Sequence, residues 1–261
     1  MILGIDVSNS GIAVAAMEDG EILYTGRLST DKGRSFDEYA ILMDVLFKRH
    51  NIDLTEAEGA ILSSVVPELT ETIRKASNEL IGADTVVVGP GVKTGLNIRL
   101  DDPAELASDF VAVAVAAKDR YPLPCVIVNM DTAVAIGVLD EQGNYIGGVI
   151  AAGVMASQIA LSRGASQLHA VSPTAPGQVI GRNTVDSMRS GIIYGTAAML
   201  DGLLTGIDEQ LGQTATVVAT GQWADSVVPH CRRPNIIRDP SLTMRGLWLI
   251  YQRRVKKQAK Y

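Results

Sequence analysis

Two short polar turns interrupt apolar runs in this sequence, and they hold the side chains with the most chemical capacity. Near the start, Ile2–Ile5 leads into Asp6-Val7-Ser8-Asn9-Ser10, and a second apolar run follows. From Val126 the design returns as Asn129-Met130-Asp131-Thr132-Ala133. Carboxylate, amide and hydroxyl groups in such turns can hold a charged ligand. Asp, Asn and Ser are also ordinary hairpin-turn residues, because they bond to their own backbone. Residue type alone leaves both readings open. A further carboxylate, Asp109, lies in a helical pattern; within reach of a hydroxyl it can take a proton, and an exposed helix acid would look the same.

The two turns belong to longer echoes. With Asp6 laid on Asn129, Ser8 falls on Asp131, Asn9 on Thr132 and Gly20 on Gly143, a shift of 123 residues with no gap. Each copy reads as three antiparallel strands joined by tight turns, and the match points to a duplicated unit.

The elements that must position these turns follow in order. Helical spacing over 35–49 puts Tyr39, Leu42, Met43, Leu46 and Phe47 on one face. A strand at 60–66, a helix at 68–80 and a strand at 85–88 ending in Gly89-Pro90-Gly91 come next. The pattern predicts a helix over 103–117 with Asp102 as its N-cap. After the second strand triplet come a helix at 155–161, a proline-bearing loop at 166–180 and a long helix at 183–204 carrying Gly191, Gly195 and Gly202. Such glycines let another helix or subunit approach closely. A strand at 216–219 ends in Thr220-Gly221-Gln222, and a helix over 242–251 precedes a basic end. We expect two lobes, 1–122 and 123–261, each of βββαβα type, with a cleft between them.

Composition bounds the function. The 261 residues are 47% hydrophobic and 20% charged, ordinary for a soluble globular protein. A net charge of -6 argues against a nucleic-acid surface. Cys125 and Cys231 form no metal-ligand spacing and no disulfide framework, which fits a reduced, cytoplasmic setting. The apolar runs are short and broken, so we expect neither a membrane span nor a signal segment.

Two duplicated lobes, each opening on a turn that faces phosphate, make the actin–hexokinase–Hsp70 (ribonuclease H-like) α/β fold. The chain resembles the type III pantothenate kinases along nearly its whole length. The matching motifs are D-E-Y-A at 37–40, S-S-V-V-P at 63–67 and V-G-P-G-V-K-T-G-L at 88–96. They continue with G-G-V-I-A-x-G at 147–153, V-I-G-R-N-T at 179–184, S-G-I-x-Y-G at 190–195 and D-P-x-L-T-x-x-G-L at 239–247. The resemblance implies ATP-dependent phosphorylation of pantothenate on its primary hydroxyl, the first step towards coenzyme A. It also implies Mg2+ on ATP, a monovalent cation (K+ or NH4+), and a dimer whose pantothenate pocket is shared between chains.

Carried over by motif, Asp6, Asn9, Ser10, Thr132 and Gly221 correspond to ATP and phosphate contacts. Asp109 corresponds to the general base. Gly89, Gly91, Lys93 and Thr184 correspond to the pantothenate side, Thr184 serving the neighbouring chain. The departures cluster. In the first turn, D-x-G-N-T of the family is Asp6-Val7-Ser8-Asn9-Ser10 here, and in G-A-D-R the arginine is Phe110. In the second turn, D-x-G-T-A-x-T becomes Asn129-Met130-Asp131-Thr132-Ala133-Val134-Ala135. Asn129 thus stands, uncharged, at the monovalent-cation position. Asp131 puts a negative charge where phosphate is expected; at ~4 Å and an effective dielectric of ~20, like charges repel by roughly 4 kcal/mol. Phosphate and cation contacts are altered while interface-type segments persist. We therefore expect a pantothenate kinase subunit, weak or inactive alone, that works with a homologous chain in a hetero-oligomer. An active homodimer and a non-catalytic regulatory paralogue are the alternatives.

Overall fold

The computed structural model describes residues 1–258, which form two compact units. The first comprises 1–96, 101–119 and the chain from Ser241; the second comprises 97–100 and 120–240. The last helix, counted with the second half in the sequence division, packs on the sheet of the first unit.

The first unit is built on β1 (Ile2–Ser8), β2 (Gly11–Glu18), β3 (Glu21–Leu28), β4 (Ala60–Ser64) and β5 (Thr85–Val87). Their order in the sheet is β3-β2-β1-β4-β5. Alternation puts Leu3, Ile5 and Val7 of β1 on the same core face as Ile12, Val14 and Ala16 of β2. Helices α1 (Phe36–Lys48) and α2 (Pro67–Ile81) cover that face with Tyr39, Met43, Phe47, Leu69 and Ile73. Ser35 and Glu38 close a capping box at the start of α1.

The predicted helix over 103–117 divides in two. Asp102 does cap, accepting from the Ala104 N–H at 2.9 Å, but what it caps is a 3-10 turn at Pro103–Glu105. The chain is extended at Leu106, and α3 runs Ser108–Arg120. The restart has a cause at β4: Ser108 Oγ accepts from the Ser64 N–H and donates to the Ser64 carbonyl.

The second unit repeats the plan with β7 (Cys125–Met130), β8 (Ala133–Leu139), β9 (Asn144–Ala152), β10 (Thr216–Thr220) and β11 (Ile237–Arg238). Two-residue β6 (Asn97–Ile98) adds an outer edge, giving β11-β10-β7-β8-β9-β6. Strands β6 and β11 are too short to show a period in sequence. Helices α4 (Val154–Gly164) and α5 (Thr184–Leu211) and the single turn α6 (Ala224–Val227) pack on this sheet. Helix α5 runs past the predicted 183–204 to Leu211, where left-handed Gly212 stops it. Among the described helices it alone has the length and apolarity of a membrane span. Its Ile192, Ile193, Leu200 and Leu204 nevertheless lie in the second core, and we read it as a core helix. Helix α7 (Leu242–Gln258) extends beyond the predicted 242–251 and packs against β1 and β4.

The duplication is real in topology, but the ungapped echo hides two compensating changes. The core faces correspond as Leu3, Ile5, Val7 to Val126, Val128, Met130, a shift of 123. For the middle strand they correspond as Ile12, Val14, Ala16 to Val134, Ile136, Val138, a shift of 122. The first turn is one residue shorter in the second unit, from the pairs Val7↔Ile12 and Met130↔Val134. The next turn is one residue longer, from Met17↔Ile22 and Leu139↔Tyr145.

Asp140 organises that longer turn. Its carboxylate accepts from the Gln142 N–H, the Asn144 N–H and Asn144 Nδ2, and Arg99 lies 3.7 Å away. Partial burial opposes the charge, but these hydrogen bonds and Arg99 outweigh it and hold the carboxyl below the usual range. Its contribution is therefore complete above the unfolded value near ~4 and is lost as pH falls through the lower folded value. We expect Asp140→Ala to destabilise the protein by about 1–3 kcal/mol at pH 7. The gap between wild type and variant should narrow below about pH 4 in a thermal-melt series; an unchanged gap would contradict this.

Candidate functional site

Strand β1 is interior to its sheet, and Asp6 lies near its C-terminal end, opposite Ala13 on β2 and Ser63 on β4. The turn that follows is wired internally. Ser8 Oγ donates to the Gly11 carbonyl at 2.9 Å and lies 3.1 Å from Ser10 Oγ. The Ser8 proton is thus committed, so Ser10 must donate to Ser8. Ser10 in turn accepts from Arg27 Nη2 at 3.0 Å. Asn9 and Ser10 are exposed. Ser8 stands at the family's glycine position without a left-handed backbone, so its side chain imposes no strain there.

Asp109 is the second residue of α3, half-buried, and accepts from the Phe110 N–H at 2.8 Å. Phe110, at the position of the family's arginine, is 6% exposed and belongs to the core. Gly89, Gly91 and Lys93 lie on the loop after β5, with Lys93 exposed and Gly91 left-handed (φ 88°). Arg253 of α7 steadies the end of this loop, donating to the Thr94 carbonyl. Asp6, Asn9, Ser10, Asp109, Gly89, Gly91 and Lys93 all belong to the first unit.

In the second unit Asn129 takes the place of Asp6, opposite Ala135 and Thr220. Its Oδ1 is buried and has no hydrogen-bond partner. The turn beyond it meets bare backbone on two sides. A Cβ on Gly221 would come within 2.6 Å of the Met130 backbone, and one on Gly153 within 2.4 Å of the Thr132 carbonyl oxygen. Gly221 also needs its φ of +91°. This contact brings the Gln222 N–H to Asp131, whose Oδ1 accepts it at 3.1 Å. The Trp223 N–H donates to the Met130 carbonyl at 3.0 Å. Thr132 is exposed. The second turn is thus closed by its own carboxylate, where the first presents a guanidinium.

Thr184 is exposed at the first position of α5, next to Asn183, which caps the helix by accepting from the Asp186 N–H. Gly191, Gly195, Gly202 and Gly206 of α5 have open space where a Cβ would be. Beside them runs a groove of about 790 Å³, lined among others by Val179, Ala198, Gly202, Thr205 and Arg232. Asp201 fixes its far wall by accepting from the Arg232 and Arg233 N–H groups.

Burial pushes the Cys125 thiol up to about 12 and, with Asp201 nearby, that of Cys231 to about 11, so neither is a ready nucleophile. Among the described residues no group of three His, Cys, Asp or Glu could cage a metal ion. Sequence reasoning missed Arg27, the Gln222 N–H and the anchoring Ser108. Only the first had a readable signal, since antiparallel pairing sets β3 beside a side-chain-free Gly11.

The model of the type III pantothenate kinase family matches residues 2–206. A type III pantothenate kinase of an Exiguobacterium species is 38% identical over 98% of this chain and 100% of its own. Among solved structures, the activator of the 2-hydroxyisocaproyl-CoA dehydratase from Clostridium difficile superposes with a TM-score of 0.60 at 11% identity, covering 99% of this chain and 97% of that one. A ROK hexokinase from Thermus thermophilus does so with a TM-score of 0.50 at 12% identity, covering 97% and 99%. At such identities they speak to fold alone, the actin–hexokinase α/β fold. With a family model across most of its length and a relative this similar end to end, the chain belongs to the type III pantothenate kinase family.

Proposed function

We propose that this chain is a subunit of an ATP-dependent pantothenate kinase that works with a second, homologous chain and is weak or inactive alone. The observation that carries the reading is the Asp131 carboxylate on the Gln222 N–H. A phosphate group arriving there would have to displace an anion already bound, and would meet its charge. The alternatives differ by what they ask of the acidic and amide groups this chain retains. An active homodimer would rely on the retained Asp6, Asn9 and Asp109, and a regulatory paralogue would use none of them.

In this reading the productive base belongs to the homologous chain; were this chain's own cleft to turn over, Asp109 would take the proton of the attacking hydroxyl, and Asp6 and Asn9 would orient the nucleotide phosphates at the first turn. Magnesium would arrive on ATP; Asp6 is the carboxylate that would hold it, and there the ion would neutralise charge on the transferring group. The monovalent cation fits poorly. Asn129 offers it one uncharged oxygen. The second chain would dock along α5, where open glycines border the groove and Val179 and Ile180 are 65% and 81% exposed. Thr184, at the exposed start of that helix, would then reach the partner's pantothenate. The setting we infer is the cytoplasm.

Two experiments follow. Asp131→Gly combined with Asn129→Asp should strengthen ATP binding by the isolated chain about tenfold or more, or about 1.4 kcal/mol, by calorimetry. Tight binding by the unmodified chain would refute the closed-turn explanation. In a mixture with a homologous chain from the same organism, Thr184→Ala should lower kinase activity about tenfold, the worth of one hydrogen bond to a charged group. Asp109→Asn should change it less than about twofold. If Asp109→Asn abolishes activity instead, the productive base is on this chain. A chain that phosphorylates pantothenate alone, at a rate no homologue improves, would overturn the proposal.

A further inference from the structure

Six of the fifteen arginines have a carboxylate partner among the described residues. Arg34, Arg74, Arg99, Arg189, Arg233 and Arg238 each lie within 4 Å of a carboxylate. Arg27 is different. It is exposed on β3, in register with Ala13 of β2, and its guanidinium reaches over the first turn. Its hydrogen bond there is to a neutral group, Ser10 Oγ, at 3.0 Å. Among the described residues no ion pair engages it. The seat depends on Gly11, since a Cβ there would come within 2.4 Å of Arg27 Nε and 2.9 Å of Nη2.

Hydrogen-bond direction gives the position its meaning. The chain of donors runs from Arg27 to Ser10, from Ser10 to Ser8, and from Ser8 to the Gly11 carbonyl. Both serine protons are consumed inside the turn, so the serines have no hydroxyl donor left for an anion. A guanidinium has five N–H donors in a planar fork, and Ser10 uses one. The side chain is thus held in place by a weak neutral contact while its charge and most of its donors stay uncommitted. A planar fork of this kind suits two oxygens of one oxyanion.

We propose that Arg27 is the anion-binding residue of the first turn and takes a phosphate of the nucleotide's polyphosphate tail. The nucleotide part rests on the kinase reading above; the anion seat does not. Phosphate is favoured over a carboxylate ligand because the turn lies at the end of a β-strand beside Asp6 and Asn9, which the family motif assigns to phosphate.

The test uses inorganic tripolyphosphate and, separately, pantothenate, each titrated into the full chain at low ionic strength and followed by backbone amide NMR. Wild type should show shifts at Asn9–Gly11 with tripolyphosphate, and Arg27→Gln should weaken that binding about tenfold or more. Arg27→Lys should retain part of it, and Gly11→Ala, which displaces the guanidinium, should mimic Arg27→Gln. Arg27 is exposed, so Arg27→Gln should fold; its amide spectrum away from the turn checks this. Equal tripolyphosphate binding by wild type and Arg27→Gln overturns the proposal, as does no binding by wild type. Loss of pantothenate binding in place of tripolyphosphate binding overturns the phosphate assignment. None of these outcomes decides the kinase reading, which stands or falls on the activity of the mixture.

Discussion

The central strand of each sheet is covered on both edges and packed into a core, and that constraint governs where chemistry can occur. Strand β1 lies between β2 and β4, and β7 between β8 and β10. Leu3, Ile5 and Val7 in one strand, and Val126, Val128 and Met130 in the other, are committed to apolar packing. A polar group within such a strand costs free energy unless it is partnered. What remains available is the strand's C-terminal end and the turn beyond it. Asp6 and Asn129 occupy that end, and the two polar turns follow directly.

From one plan the two turns have taken opposite electrostatic characters. The first is a chain of two hydroxyls that runs from an arginine to the Gly11 carbonyl, with the positive charge outermost. The second is shorter by one residue and is pressed between Gly153 and Gly221, which bring backbone within contact of backbone. That closeness is what lets Asp131 reach the Gln222 N–H. A glycine at 131 would leave this donor open to a ligand. Asp131 supplies an acceptor and a negative charge together, so a single substitution both satisfies the turn and opposes an incoming phosphate.

Much of this was legible in the sequence, for physical reasons that differ by element. The strand triplets were visible because apolar alternation and the D-G turn at Asp19-Gly20, both residues left-handed, are local signals. Helix α1 was visible from its face and its Ser35–Glu38 cap. The break before α3 was not, because its cause is Ser108 bonding to β4, 44 residues away in sequence. The compensating turn lengths were hidden because they cancel in an ungapped comparison and only pairing reveals them. Asp131 was recognisable as a charge out of place, but its partner, a backbone N–H 91 residues on, has no signature in residue type. Arg27 was overlooked because nothing local to β3 marks it; its meaning comes from the missing side chain at Gly11.

The carboxylate of Asp131 on the Gln222 amide closes the second turn. Amide hydrogen exchange of the isolated chain, read by NMR, tests this most directly. The expected result is a Gln222 N–H that exchanges slowly, with the protection lost in Asp131→Gly and Asp131→Ala. A Gln222 amide that exchanges freely and is indifferent to Asp131 would contradict it.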